Sequence, residues 1–411
     1  MSSFGRSSLL AVLALCSATM ALAADEDPNL DAEAQAALEE AEDNAAAPPE
    51  KLSGLDWSVG LRGSYAANSL TGGAASISLT PEASLTLGGE SGLTVYGVGG
   101  EVIIDGVGQA RIAEVRAGIE HSYQLGAQTL FEGAVDGSFT QASPEDSGLP
   151  ANTLIAPMVL DGRAQASLTQ DMGRVDGRLT LDGERQSVGV TTLDDLSTVD
   201  NSHQSFWQGG ATLRFGYELT PLLTSFVEGE VRANKFDAPD PTLLKYLDGR
   251  TYELRAGLAY AQGSMIAAEA SLGRAWLDYF DGTISDTQSW VYNGSLTVRP
   301  DETLSLKGAL ETTIGPSTTV PGDTDAGYVL SSEASYDVNP WLTLRGTAGW
   351  NRTVTLGTGD DAWGYDLGAG LDYRSSRHIV WTADYSYARD FVPPTPLNDT
   401  HTVTVGVKVT R

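Results

Sequence analysis

From Trp57 to the C-terminus the chain alternates between apolar and polar positions. Between Phe206 and Leu219, residues Trp207, Gly209, Ala211, Leu213, Phe215, Tyr217 and Leu219 share one parity, and Gln208, Gly210, Thr212, Arg214, Gly216 and Glu218 share the other. The same reading holds for Ile77, Leu79, Ala83, Leu85 and Leu87 against Ser78, Thr80, Glu82, Ser84 and Thr86, and for Val403, Val405, Val407 and Val409 against Thr402, Thr404, Gly406 and Lys408. A period of two marks a strand with one apolar and one polar face. About eighteen such segments fit between Trp57 and Thr410, each about 10–14 residues long, whereas globular strands usually run about 5–6. A tilted strand that crosses a membrane needs about 9–11 residues.

The connections fall into two classes that take turns. Short ones are Gly88-Gly89-Glu90-Ser91, Leu125-Gly126-Ala127, Asp171-Met172-Gly173, Thr220-Pro221, Ala261-Gln262-Gly263, Arg299-Pro300-Asp301-Glu302, Asn339-Pro340 and Ser375-Ser376. Longer ones lie between them, at Gln141–Ala156, Val188–Ser205, Asp237–Gly249, Gly315–Ala326 and Val392–Asp399, with shorter members at Ala67–Ala74, Asp105–Ala110, Asp281–Asp286 and Gly357–Asp361. Tight turns at one end and long loops at the other are the habit of outer-membrane barrels. An open edge in lipid would leave backbone N–H and C=O groups unpaired, so such a sheet must close. The expected fold is therefore all-β: an antiparallel up-and-down transmembrane β-barrel of about eighteen strands, with sixteen as the alternative count. Aromatic residues near strand ends, among them Trp57, Tyr65, Trp207, Tyr217, Trp276, Tyr279, Trp290, Trp341, Trp350 and Trp381, suit the headgroup belts of such a barrel.

The first residues read differently. Arg6, the apolar run from Leu9 to Leu15, and Ala21-Leu22-Ala23 give residues 1–23 the three parts of a signal peptide. Residues 24–52 form an acidic, alanine-rich and partly helical tether on the periplasmic side, ended by Pro48-Pro49. The barrel is expected over 53–411, with both termini periplasmic. Cys16 is the single cysteine, so cleavage after Ala23 would leave neither a disulfide nor a cysteine-ligated metal to hold the fold.

Charge narrows the function. The formal net charge is −29, which repels phosphate and argues against a nucleic-acid partner. The four histidines, His121, His203, His378 and His401, show no metal-ligand spacing, and no nucleophile elbow or phosphate loop is present. No enzyme, cofactor or metal site is expected. The acidic pairs in the longer connections, such as Asp194-Asp195 and Asp360-Asp361, read as solvated loops.

If the apolar parity meets lipid, the polar parity lines the interior. The candidate lumen residues are Glu114, Arg116, Glu120, Glu132, Asp136, Arg163, Asp176, Arg178, Arg214, Glu228, Glu230, Arg232, Glu253, Arg255, Lys307 and Arg345. They can pair across strands and hold the wall, and the acidic surplus can favour cations. Sixteen to eighteen strands leave a water-filled bore, so passive diffusion of small hydrophilic solutes with a mild cation preference is the expected activity. A channel for polysaccharide export and a surface barrel without a through-pore are the competing readings.

The leader, the acidic tether and the hairpins turned by Thr220-Pro221 and Asn339-Pro340-Trp341 resemble the proteobacterial outer-membrane β-barrel porins of the β-barrel porin 2 type, over about Leu55 to Arg411. The resemblance implies a Gram-negative outer membrane, contact with its lipid and lipopolysaccharide, insertion by the barrel-assembly machinery, and passage of small solutes. A homo-oligomer is carried over from porins by analogy alone. The chain departs from the usual aromatic final residue, ending Lys408-Val409-Thr410-Arg411.

Overall fold

The computed structural model describes residues 53–411, apart from 71, 90–91, 106–109, 145–148, 151, 318–319, 321 and 393–396. The leader and the tether lie outside the described residues. Eighteen long strands form one sheet: β1 (Ser53–Asn68), β2 (Gly72–Gly88), β3 (Gly92–Asp105), β4 (Ala110–Gly126), β5 (Thr129–Gln141), β7 (Met158–Asp171), β8 (Val175–Val188), β11 (Phe206–Thr220), β12 (Leu223–Phe236), β13 (Gly249–Gln262), β14 (Ile266–Tyr279), β15 (Thr287–Val298), β16 (Leu304–Pro316), β17 (Thr324–Asn339), β18 (Leu342–Thr355), β19 (Asp361–Ser376), β20 (Ile379–Phe391) and β21 (Asn398–Thr410). Three short strands, β6 (Thr153–Ile155), β9 (Thr191–Leu193) and β10 (Thr198–Val199), pair with one another and join the two longest loops.

Each long strand pairs antiparallel with the next in the chain. β1 also pairs with β21, from Ser58↔Thr410 to Asn68↔Thr400, and this last ladder closes the barrel. At strand spacings of about 4.8 Å and tilts of about 40°, eighteen strands enclose a ring roughly 35 Å across, backbone to backbone. The strands run from 12 residues in β15 to 17 in β2 and β4, longer than the alternation alone suggests. Pairing carries on past the apolar band into residues that read as loop.

The two parities part as the sequence pattern requires. Trp207, Leu213, Phe215, Tyr217 and Leu219 of β11 are all exposed, as are Leu55, Trp57, Val59 and Leu61 of β1. An apolar band right round a closed sheet is far larger than the patches soluble monomers expose. It fits hydrocarbon, in which every backbone group must be paired internally. Tyr279 departs from the expected belt. It lies on the inward parity of β14 and is only 6 % exposed.

One seam interrupts the regular ladder. β15 and β16 pair only from Gly294↔Leu310 to Val298↔Leu306, although both strands continue towards the loop end. At the break, side chains replace backbone partners. The Thr312 N–H donates to Asn293 Oδ1 (3.0 Å), the Tyr292 N–H donates to Thr312 Oγ1 (3.0 Å), and that hydroxyl donates to the Tyr292 carbonyl (2.7 Å).

Beyond the seam the end of the β16–β17 hairpin turns into the ring. Thr312 is 5 % exposed, and Ala326 and Thr324 are fully buried, although their parity is that of lipid-facing Leu310 and Leu330. What covers this outer face is the inner face of β14 and its neighbouring loops: Leu277, Tyr279, Leu247 and Ile284 form a core against which Ile314, Leu243 and Phe236 pack. The Tyr279 hydroxyl donates to the Asp323 carbonyl (3.0 Å), and Thr324 Oγ1 donates to Thr287 Oγ1 (3.2 Å). The hairpin ladder also reaches Pro316↔Thr324, so the loop expected over Gly315–Ala326 shrinks to residues 317–323.

Candidate functional site

The inward parity of β11 to β14 carries the densest charge. The register sets Arg214 opposite Glu228 and Glu228 opposite Arg255, a row of alternating sign across three strands. Glu228 is buried and accepts from Arg255 Nε at 2.8 Å. Arg214 grips Glu269 with two hydrogen bonds of 2.8 and 2.9 Å and lies 3.6 Å over the Phe226 ring. One step towards the loops, Glu230 faces Glu253 directly. Like charges so placed repel, and each is answered by a base two residues along its own strand: Arg232 lies 3.0 Å from Glu230, and Arg255 3.0 Å from Glu253. Arg232 also reaches Asp182 on β8 at 3.7 Å.

Three smaller networks continue round the wall. Glu82 on β2 accepts from Arg116 (2.7 Å) and Lys408 (3.1 Å), with Glu114 3.6 Å from Arg116. On β5 to β8, Arg163 meets Glu184 at 3.2 Å and Arg178 meets Glu132 at 3.3 Å. On β18 to β20, Arg345 bridges Asp372 (2.8 Å) and Asp384 (2.7 Å). The remaining candidates stand outside these networks. Asp136 is opposite Arg163 in register, Lys307 is opposite Glu333, Asp176 is opposite Gly216, and Glu120 lies between Val95 and Ala134. Half-exposed pairs of this kind contribute about 0–1 kcal/mol each, so they order the side chains more than they stabilise the sheet.

Lys408 and Phe226 are members of these networks that sequence reasoning did not place among the inward-facing residues. Lys408 shares the polar parity of Thr402, Thr404 and Gly406, and that parity was the available signal. Phe226 is an aromatic on the polar parity between Thr224 and Glu228. Its ring is buried under Arg214, a cation–π pairing with no signature in sequence spacing.

At the loop end, Arg185 forks onto Asp237 at 2.9 and 2.5 Å. That hydrogen-bonded guanidinium holds the Asp237 carboxyl below its ordinary value. Asp195 and Asp281 are held low in the same direction by hydroxyl and backbone donors of Ser197 and Thr283. Among the described residues no group of His, Cys, Asp and Glu is arranged to hold a metal ion.

A cleft of about 530 Å3 lies between the β11–β14 wall and the inward end of β16. It is lined by Glu230, Arg232, Glu253, Arg255 and Glu269 on one side and by Glu311 to Pro316 on the other. A closed barrel with lipid-facing apolar residues outside and paired charges inside is suited to letting water and solutes pass through a membrane.

Several solved outer-membrane barrels are similar in outline. OccK5 (OpdH) of Pseudomonas aeruginosa is 13 % identical, the match covering 87 % of this chain and 98 % of that one, with a TM-score of 0.41. OpdL of the same organism is 14 % identical over 87 % and 98 %, with a TM-score of 0.45. OccAB4 of Acinetobacter baumannii is 11 % identical over 89 % and 100 %, with a TM-score of 0.42. Among curated protein sequences none matches the chain. Residues 86–411 match the family described as "Putative beta-barrel porin 2". The chain therefore belongs to the β-barrel porin 2 family, and it is an outer-membrane β-barrel porin.

Proposed function

We propose that this porin passes small hydrophilic solutes by passive diffusion and favours cations mildly. The observation that carries this reading is the charge left over on the inward parity. Among the described residues Asp136, Asp176, Glu218, Glu311 and Asp366 take part in no ion pair, against Arg62, Lys307 and Arg374 among the bases. Unneutralised carboxylates along a bore raise the local cation concentration and repel anions. The wall networks add to the surplus: Arg214 and Arg255 face Glu228, Glu253 and Glu269, and Arg345 alone faces Asp372 and Asp384, so each of these networks keeps one carboxylate in excess.

Reversal potential across a planar bilayer with a KCl gradient tests the reading. The expected sign is that of K+ permeating better than Cl−, and the preference shrinks as ionic strength rises and screening shortens. A Cl−-selective reversal potential would falsify the cation preference. The barrel-assembly machinery as partner and a homo-oligomeric state belong to the same reading. Cross-linking of the detergent-extracted protein checks the oligomer.

A further inference from the structure

We infer that the cleft beside the inward end of β16 is the solute-selecting site of this channel, and that it takes small organic cations of the guanidinium or ammonium type. The inference rests on the channel reading above and goes beyond it by naming a place and a ligand chemistry. First, the narrowing is made by a piece of the wall itself. The end of the β16–β17 hairpin is seated inside the ring by the Tyr279–Asp323 and Thr324–Thr287 hydrogen bonds and by the Leu277–Ile314 packing. A solute moving along the β11–β14 wall passes it.

Second, this end of β16 presents an open strand edge. Pairing with β15 stops at Leu310, and the Thr312 N–H, which points to that side, is met by the Asn293 side chain. Two residues on, Ile314 has the same orientation and no β15 residue opposite it. Ile314 lines the cleft. Third, the charges are biased. Arg232 and Arg255 in the lining are already paired with Glu230 and Glu228, with only Arg232 Nε left without an acceptor. Glu311 forms no ion pair among the described residues. Glu253 Oε1 is buried and has no hydrogen-bond donor in proper geometry, although Arg255 Nη1 lies 3.0 Å away. A carboxylate outside any ion pair and a second carboxylate oxygen without a well-aligned donor give the cleft two acidic acceptors. Guanidinium and ammonium groups carry only donors and match such a pair. The lining sets four carboxylates, Glu230, Glu253, Glu269 and Glu311, against the two guanidinium groups of Arg232 and Arg255, so an anion would enter a net negative site.

The test uses the refolded barrel in planar bilayers, with guanidinium chloride as the probe, in wild type, Glu311→Gln and Glu302→Gln. Glu302 lies in the short turn at the far end, so its substitution removes the same charge away from the cleft. Wild-type conductance should saturate with guanidinium. Glu311→Gln should raise the half-saturating concentration about threefold, the scale of one exposed ion pair, while Glu302→Gln leaves it in place. Non-saturating guanidinium conductance in wild type overturns the assignment, as does an equal shift, or no shift, in the two variants. A wild-type barrel that conducts no ion at all defeats the channel reading itself, a result distinct from either of these.

Discussion

At the scale of single residues, the β13–β14 wall is built around close approach. Gly273 stands opposite Arg255, and a Cβ there would press on the Leu254 carbonyl oxygen and lie 2.5 Å from Arg255 Cβ. Gly257 is similar, with the Phe226 ring 2.5 Å from where its Cβ would be. The glycines let Arg255 and Phe226 lie flat along the wall, where they meet Glu228 and Arg214. Gly273→Ala must move backbone or displace Arg255, a cost of about 1–3 kcal/mol typical of overpacking. Gly229 has nothing within 4 Å of the same position, so Gly229→Ala should change stability by no more than about 0.5 kcal/mol. Urea unfolding of the two variants in lipid vesicles, monitored by tryptophan fluorescence, checks the contrast. Equal midpoints would show that the wall at Gly273 can yield.

At the scale of elements, most of the barrel was readable in advance. Period two runs unbroken through β11, so the inward places of Arg214 and Glu218 follow from counting, and Asn339-Pro340 marks its turn without help from neighbours. The β16–β17 hairpin was not readable. Gly315, Pro316 and Ser317 look like loop-formers, yet β17 holds the first two in a ladder, and the inward turn depends on Tyr279 and Leu277 from another hairpin. Ion-pair partners were hidden for the same reason. Sequence places Glu228 and Arg255 on one face, but only the register makes them neighbours. The loop after β12 is likewise fastened from outside its own hairpin, by Arg185 of β8 holding Asp237. Because Asp237 titrates below its ordinary value in the folded barrel, this contribution is fully present above the unfolded carboxylate value of about 3.9. It fades as pH falls through the lower folded value. Proteolysis of the 237–248 loop by pepsin, which works in that acid range, should therefore speed up as pH drops from about 4 towards 2. Asp237→Asn should already show the fast rate at the upper end. A wild-type rate that follows only pepsin's own pH profile would remove the clasp from the account.

At the scale of the whole molecule, the arrangement is inside out: the apolar side chains face outward and the paired charges face the centre. The solvent on each side decides what a given substitution costs, and adjacent residues on one strand should therefore behave oppositely. Leu213 sits at the middle of β11, 45 % exposed on the outward parity, and Thr212 beside it faces in, level with Glu230. An arginine facing mid-membrane hydrocarbon costs about 2–4 kcal/mol, so Leu213→Arg should lower the unfolding free energy in vesicles by that amount. Thr212→Arg places the same guanidinium beside Glu230 in a wet interior, where one more ion pair is worth about 0–1 kcal/mol. Its stability should hardly move, while its reversal potential should shift towards Cl−. Both variants keep the strand and its backbone pairing. Two variants destabilised alike would mean that the two faces of β11 meet the same medium, and neither the membrane-spanning ring nor a water-filled centre could then stand.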